Sequence, residues 1–329
     1  MQNVQHIVGA DLSKKTIDLC HLLGSYTRIG NNLSGFKKMI QWLKQQQINF
    51  SELLIVMEHT GLYSLCLERF LHQHQISFTK ISALAIKRSV GLARGKSDKI
   101  DAQRIAEYGY EKKAKLIAET PANKQLQRLQ LLYATRDRLV KQKAALLNAL
   151  EEYSNIGLSK QDPIMQAQTR IIKRFEKEIE NLDLEMKNNI EQDPSLNQNY
   201  QLLQTVTGVG KVVATVILIK TQNFTRFTNT RKFACFCGIA PFENTSGTSI
   251  KGRTRVSHMA DKQMKALLHM SAQCAIRYDK ELREFYLRKT ANGKSKMSTI
   301  NIIRNKIVYR MFAVVKRQTP FLNNYLQVA

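Results

Sequence analysis

Four carboxylates stand where a chain could put them to use. Asp11 closes the apolar run of Val8-Gly9-Ala10-Asp11-Leu12-Ser13. Glu58 follows Leu53-Leu54-Ile55-Val56-Met57, a continuous apolar stretch of the kind that forms a parallel strand buried on both faces. Asp98 and Asp101 lie in Gly95-Lys96-Ser97-Asp98-Lys99-Ile100-Asp101-Ala102, and a spacing of three sets both on one face of a helix. In an open α/β sheet, sites collect at the carboxyl ends of strands. Four acids gathered there cannot all ionise unless cations join them. Oxygen-only donors select a hard ion, Mg²⁺ or Mn²⁺. Two such ions about 3.5–4 Å apart clamp the attacking and leaving oxygens of a phosphodiester. Taken singly, each residue has a plainer reading. Asp98 and Asp101 suit the positive end of a helix dipole, Ser97 suits an N-cap, and Asp11 suits a turn. It is the order of strand-end Asp, strand-end Glu and helix-opening Asp-x-x-Asp that is informative.

The elements around these acids read as an α/β domain. Residues 5–10, leading into Asp11, and Thr16 to Leu23 read as short strands around Ser13-Lys14-Lys15, with a third strand at Tyr26 to Ile29. Phe36, Met39, Ile40 and Leu43 have helical spacing within Leu33–Gln47. Leu62 to His72 and Ile100 to Leu116 read as further helices, with a strand at Ile76 to Ile81 between them. Hairpin strands followed by alternating strands and helices predict a mixed sheet.

After Pro121 the pattern changes. No proline interrupts Ala122–Asp162 or Ile164–Asp193. Ile172, Phe175, Ile179, Leu182 and Met186 step by three and four, as a coiled-coil seam does. Leu129, Leu132, Leu139, Leu146, Leu150 and Tyr153 mark the preceding helix, interrupted by Arg136 and Lys143. Two antiparallel helices joined near Asn155–Pro163 follow, an arm that serves as spacer, dimerisation element or both. Near Leu202 a last region begins. Thr207-Gly208-Val209-Gly210-Lys211 sits between apolar helical stretches. Gly208, Gly210 and Lys211 suit a helix-hairpin-helix that offers backbone N–H groups to phosphate, and they suit an ordinary helical hairpin equally. Asn229–Phe236, Lys262–Arg277 and Ser298–Arg317 read as helices, and Pro241–Met259 as a polar, glycine-bearing loop.

Charge points to the partner. The 329 residues carry 51 Lys and Arg against 26 Asp and Glu, a net +25. From Arg231 to the end there are 19 basic residues and 5 acidic ones, so less than a third of the chain holds more than half of the excess. Such a surface suits phosphate. A membrane surface is the rival, but no apolar run reaches the ~18 residues of a spanning helix, and Met1–Lys15 has no secretory pattern. Cys20, Cys66, Cys235, Cys237 and Cys274 are odd in number and lack disulfide or zinc spacing, so they read as small buried hydrophobes in a reducing cytosol.

The chain resembles the DEDD transposases of the insertion sequence 110 type, a family that includes pilin-gene invertases. The pieces that carry the resemblance are Gly9-Ala10-Asp11-Leu12-Ser13-Lys14, Glu58-His59-Thr60-Gly61-Leu62-Tyr63 and Lys96-Ser97-Asp98-Lys99-Ile100-Asp101-Ala102. In the second half they are Val206-Thr207-Gly208-Val209-Gly210, Gly238-Ile239-Ala240-Pro241 and Ser246-Gly247. The resemblance implies a RuvC-like, RNase H-like domain at 1–120, a coiled-coil arm at 121–195 and a mainly helical transposase domain at 196–329. It implies that Asp11, Glu58, Asp98 and Asp101 are catalytic and bind two divalent metals, Mg²⁺ or Mn²⁺. Ser246 would attack the scissile phosphate and become linked to DNA. Members excise and insert their element through a circular intermediate. At least some are directed by a non-coding bridge RNA, and the active assembly is a tetramer.

A serine hydroxyl gains as a nucleophile from a nearby metal or base. Thr245, Thr248 and Ser249 are neighbouring hydroxyls, so the choice of Ser246 rests on the motif. Lys251, Arg253 and Arg255 alternate just beyond, which in an extended segment turns all three to one side as a phosphate clamp. Lys96, two residues before Asp98, and Lys211 add nucleic-acid contacts. The expected protein is a cytoplasmic, nucleoid-associated transposase or recombinase. Its partners are double-stranded DNA at element ends and target, a bridge RNA, and copies of itself as dimer to tetramer. The alternatives are a Holliday-junction-resolvase-like nuclease that uses water alone and a non-catalytic nucleic-acid-binding protein.

Overall fold

The computed structural model describes residues 4–89, 91, 95, 97–121, 123–227, 229–246 and 250–322, with only the backbone at 244–246, 250, 251 and 253. The chain divides into two compact units, Met1–Pro121 and Ala122–Ala329. No helix among the described residues is long and apolar enough to cross a membrane.

The first unit is built on β1 (His6–Leu12), β2 (Thr16–His21), β3 (Tyr26–Gly30), β4 (Leu53–Glu58) and β5 (Ser77–Ile81), in the order β3-β2-β1-β4-β5. β1, β4 and β5 run parallel, and β2 runs antiparallel to both β1 and β3. The helices are α1 (Leu33–Gln45), α2 (Leu65–Gln73), α3 (Ala83–Ser89) and α4 (Asp98–Glu111). Because side chains alternate along a strand, β1 and β4 divide their apolar residues between two cores. Val8, Ala10, Ile55 and Met57 pack with Phe36 and Met39 of α1 and Leu67 and Leu71 of α2. Ile7, Leu54 and Val56 pack with Ile86 of α3 and with Ile105 and Ala106 of α4. A mixed sheet covered on both faces is consistent with the RNase H-like arrangement.

Two glycines set the course of α4. A Cβ on Gly9 would lie 2.1 Å from the Ala102 carbonyl oxygen and 2.4 Å from the Ala106 nitrogen. A Cβ on Gly109 would lie 2.7 Å from Val56 Cγ2 and 3.0 Å from Ile7 Cγ2. Rising contacts along β1 thus meet falling numbers along α4, so helix and strand are antiparallel. The first turn of α4 therefore lies at the carboxyl ends of β1 and β4.

The second unit comprises α5 (Lys124–Asn155), α6 (Pro163–Glu191), α7 (Pro194–Gln204), α8 (Lys211–Thr221), α9 (Thr230–Phe236), a hairpin of β6 (Pro241–Ser246) and β7 (Ile250–Val256), α10 (Lys262–Tyr278), α11 (Lys280–Ala291) and α12 (Lys296–Arg317). Asn123, Asp162 and Asp193 cap α5, α6 and α7, and Pro163 and Pro194 open the last two. The helical arm is a hairpin. Arg136, which interrupts the apolar pattern of α5, bonds Asp183 at 2.5 and 3.2 Å, and Lys143 reaches Glu176 at 3.4 Å. The apolar seam closes inside the chain: Ile172, Ile179 and Met186 are buried. At the arm's base, Leu126, Leu129, Leu132, Met186 and Ile190 join the core that α7 to α12 also build.

Three sequence expectations change here. Pro241–Met259 is not a loop, since residues 241–256 contain the two-stranded hairpin. α11 went unread. Among the cysteines, Cys20 and Cys237 are buried, but Cys66 and Cys274 are exposed, and all five are free.

Candidate functional site

A row of charged residues crosses the sheet. Asp18 on β2 pairs with Asp11 on β1 and with Arg28 on β3. On the other side, Glu58 lies one step beyond the Ala10↔Met57 pair of β1 and β4. Strand alternation turns Asp11 and Glu58, like Ile7 and Val56, toward the face that α4 covers. Asp101 arrives from the first turn of α4, one residue before the Ala102 that touches Gly9. Asp11, Glu58 and Asp101 line one cleft of about 480 Å³, with Arg104 and Lys87 also in its wall.

The electrostatics match that convergence. Burial first, then the charges of Asp101, Glu58, Asp98 and Asp18, push the Asp11 carboxyl up from 3.8 to about 6. Asp98 is at the open margin, 61 % exposed, where Arg28 Nη2 donates to its Oδ2 at 2.6 Å. Arg28 Nε also donates to Asp18 Oδ1 at 2.8 Å, and the Tyr26 hydroxyl donates to the same oxygen. Arg104 pairs with Asp101 at 3.2 Å and with the Gly95 carbonyl at 3.1 Å. Ser97 is the N-cap of α4, accepting from Ile100 N at 3.3 Å.

Among the described residues no three His, Cys, Asp or Glu stand close enough to hold a metal as placed. The donor set nevertheless suits a hard divalent ion: every acid at the cleft offers oxygen, and a cation would offset the burial and, after it, the like charges that raise the Asp11 carboxyl. Asp18, Arg28 and Arg104 escaped the sequence reading. The hairpin symmetry about Ser13-Lys14-Lys15 was the available signal for Asp18, since it pairs residue 11 with residue 18.

In the second unit, Ser246 ends β6 opposite Ile250. The root of this hairpin is tied down. Asn301 and Asn305 of α12 both donate to the Ile239 carbonyl, at 2.8 and 3.0 Å. Asp261, just after the hairpin, takes a salt bridge from Lys220 at 2.7 Å. The basic run on β7 is not a simple alternation. Phe242 pairs with Arg255 but Asn244 pairs with Gly252, so β7 holds one extra residue in a bulge between them. Lys251 pairs with Thr245 and Arg255 with Phe242, so the backbone register between them is not the unbroken alternation the sequence predicts, while the side chains of Lys251 and Arg253 lie outside what the structure describes. Lys96 lies outside the described residues, as does Gly247.

Gly208 and Gly210 form the turn between α7 and α8. Gly208 has φ +90°, and a Cβ there would lie 2.4 Å from the Ser271 carbonyl, so close packing on α10 already requires this glycine. Gly210 caps α8 with open space around it and no side-chain cap, and Lys211 beside it is exposed.

Two family models match this chain. A DEDD transposase model covers residues 8–153, and a model described as the transposase family of IS116, IS110 and IS902 covers residues 200–287. The pilin gene-inverting protein of Moraxella bovis is 27% identical over 95% of this chain and 97% of its own length. Its counterpart in Moraxella lacunata is similar to the same degree. A transposase for insertion sequence element IS1111A from Coxiella burnetii is 22% identical over 69% of this chain and 68% of its own length.

Proposed function

The chain belongs to the IS110-type DEDD transposases, and on that premise we propose that it cuts and rejoins DNA through a covalent bond to Ser246. The observation that carries the first half of this reading is the convergence of Asp11, Glu58 and Asp101 on one cleft, with Asp98 at its margin and the Asp11 carboxyl raised to about 6. Those four carboxylates would hold two Mg²⁺ or Mn²⁺ ions. When bound, the ions supply positive charge to the phosphate and its departing oxygen. Asp98, now paired with Arg28 at 2.6 Å, would join the set once that guanidinium lets it go.

The second half belongs to the hairpin. Ser246 Oγ forms a bond to phosphorus, the bond from phosphorus to the leaving sugar oxygen breaks, and the serine proton passes to solvent or a base. The ester conserves the energy of the broken linkage, so the hydroxyl of a new strand can reverse the step and restore Ser246. Asn301 and Asn305, gripping Ile239, hold the root from which β6 carries the serine. Lys251, Arg253 and Arg255 contact phosphate, and Gly210 and Lys211 add a contact at the start of α8. We read the chain as a nuclease domain at 1–120, an arm at 121–195 and a transposase domain at 196–329. It acts as a dimer to tetramer, with a non-coding bridge RNA as guide.

The test is covalent trapping. Full-length protein, element-end DNA and Mg²⁺ should give a protein–DNA adduct whose digested peptide carries the nucleotide on Ser246. EDTA and Ser246→Ala should each abolish it while nucleic-acid binding persists. An adduct on Thr245, Thr248 or Ser249 would move the nucleophile. DNA cut without an adduct would replace this reading with the water-using nuclease.

A further inference from the structure

The second unit holds a cleft of about 620 Å³ that the acidic chemistry does not use. It lies between the α8–α9 connection and the end of α12. Its walls are aromatic: Phe224, Phe227, Tyr309 and Phe312. Its polar groups include Arg231 and Lys316, and no acid is among its described lining residues. Phe224 meets Phe312 edge-on at 4.9 Å, and Phe227 packs against Phe233 at 5.3 Å. These contacts fix the floor, while Tyr309 is 50% exposed.

The backbone that presents Phe224 is unusual. Gln222, Asn223 and Phe224 have φ of 49°, 53° and 65°, three successive non-glycine residues in the left-handed region. Such a conformation is unfavourable for each residue and persists only where surroundings enforce it. Here they do. The Asn223 side chain donates to Ser195 Oγ at 2.8 Å and accepts from Asn199 Nδ2 at 2.8 Å, and Phe224 N donates to Thr221 Oγ1 at 3.0 Å. A strained turn locked from three sides holds an aromatic ring at the wall of an open, cation-edged cleft.

We propose that this cleft takes one unpaired base of a single-stranded nucleic acid, stacked against Tyr309, with the adjoining phosphates on Arg231 and Lys316. The inference rests on the reading of the chain as a nucleic-acid enzyme and adds a site to it. The volume falls in the range of ligand pockets. Aromatic walls recognise the face of a base, which a duplex hides in its stack and a single strand offers. Cations without acids favour the phosphates on either side.

Full-length protein should be titrated with labelled ten-nucleotide oligo(rU), ten-nucleotide oligo(dT) and a twenty-base-pair duplex, read by fluorescence anisotropy. Tyr309→Ala should weaken single-strand binding about tenfold, the scale of one lost base–aromatic stack. Tyr309→Phe should retain it, and the duplex should be unaffected by either change. Arg231→Gln with Lys316→Gln should weaken the same probes and lower their salt dependence. A larger loss with oligo(rU) would identify the natural strand as RNA, and a larger loss with oligo(dT) as DNA. In wild-type protein, 4-thiouridine in the oligo(rU) should crosslink within 224–231 or 309–316. Unchanged single-strand affinity in these variants, equal loss on the duplex, or crosslinks confined elsewhere would overturn the site. Wild-type protein that binds none of the three probes would overturn the nucleic-acid reading along with it.

Discussion

Replacing Asp11 by Asn should stabilise this protein while ending its activity. A carboxyl raised from 3.8 to about 6 is penalised when it ionises in the folded chain. The rise corresponds to about 3 kcal/mol between its two protonation states. Asp11 is only half-buried, and solvent screens part of that, so about 1–2 kcal/mol is the expected gain at pH 7. The sign follows from proton binding. Between about pH 4 and pH 6 the folded state holds a proton on Asp11 that the unfolded state has lost, so the contribution of Asp11 to stability falls as pH rises through this window. Below pH 4 the two forms of Asp11 are alike, and the advantage of the Asn variant should vanish. The chain's single tryptophan, Trp42, packs against the first unit's core, so its fluorescence follows the unfolding of that unit alone. Urea melts of both proteins at pH 4 and pH 7, without divalent metal, measure the gap directly. Added Mg²⁺ should then raise wild-type stability more than that of Asp11→Asn. A variant no more stable than wild type at pH 7, or an advantage equal at both pH values, would refute this account of the acidic cleft.

Other perturbations test the positioning. Gly9→Ala places a Cβ 2.1 Å from the Ala102 carbonyl and must displace α4, so the Trp42 transition should lose about 1–3 kcal/mol or more and cleavage should fall with it. Neutralising Lys251, Arg253 and Arg255 together should reduce the slope of log affinity against log salt for duplex DNA by up to about 0.9 per lost phosphate contact; an unchanged slope would place the phosphate contacts elsewhere. Ile164 and Ile171 are exposed on α6, whose buried seam is already closed. Charged residues at both should lower the particle mass seen by light scattering if the arm joins subunits, and an unchanged mass would leave the arm an intramolecular hairpin.

The acidic positions were legible because each sits at a boundary that sequence marks strongly: the end of an apolar strand, or the first turn after Ser97. Their neighbours were not, because Asp18, Arg28 and Arg104 acquire meaning only through pairing and packing. The β6–β7 hairpin left no signal for a related reason. Pro241, Phe242 and Glu243, which open β6, are exposed, so no buried face imposes apolar alternation on that stretch. α11 escaped because a single residue, Leu282, is buried along it. Arg136 and Lys143 looked like breaks in a seam, whereas both are paired with acids across the helical hairpin.

The arm also has a length. Beyond Tyr133, where its burial in the second unit's core ends, α5 continues to Asn155 and adds about 33 Å. One turn of duplex DNA advances about 34 Å. A partner gripped at the arm's tip would therefore stand one helical repeat away and meet the same face of the double helix. Removing a heptad from both helices would shorten the arm by about 10 Å, or some three base pairs. With a second copy held at the tip on the same duplex, that change would turn the DNA between the two copies by nearly a third of a rotation, so the length of the arm would matter where much of its sequence need not.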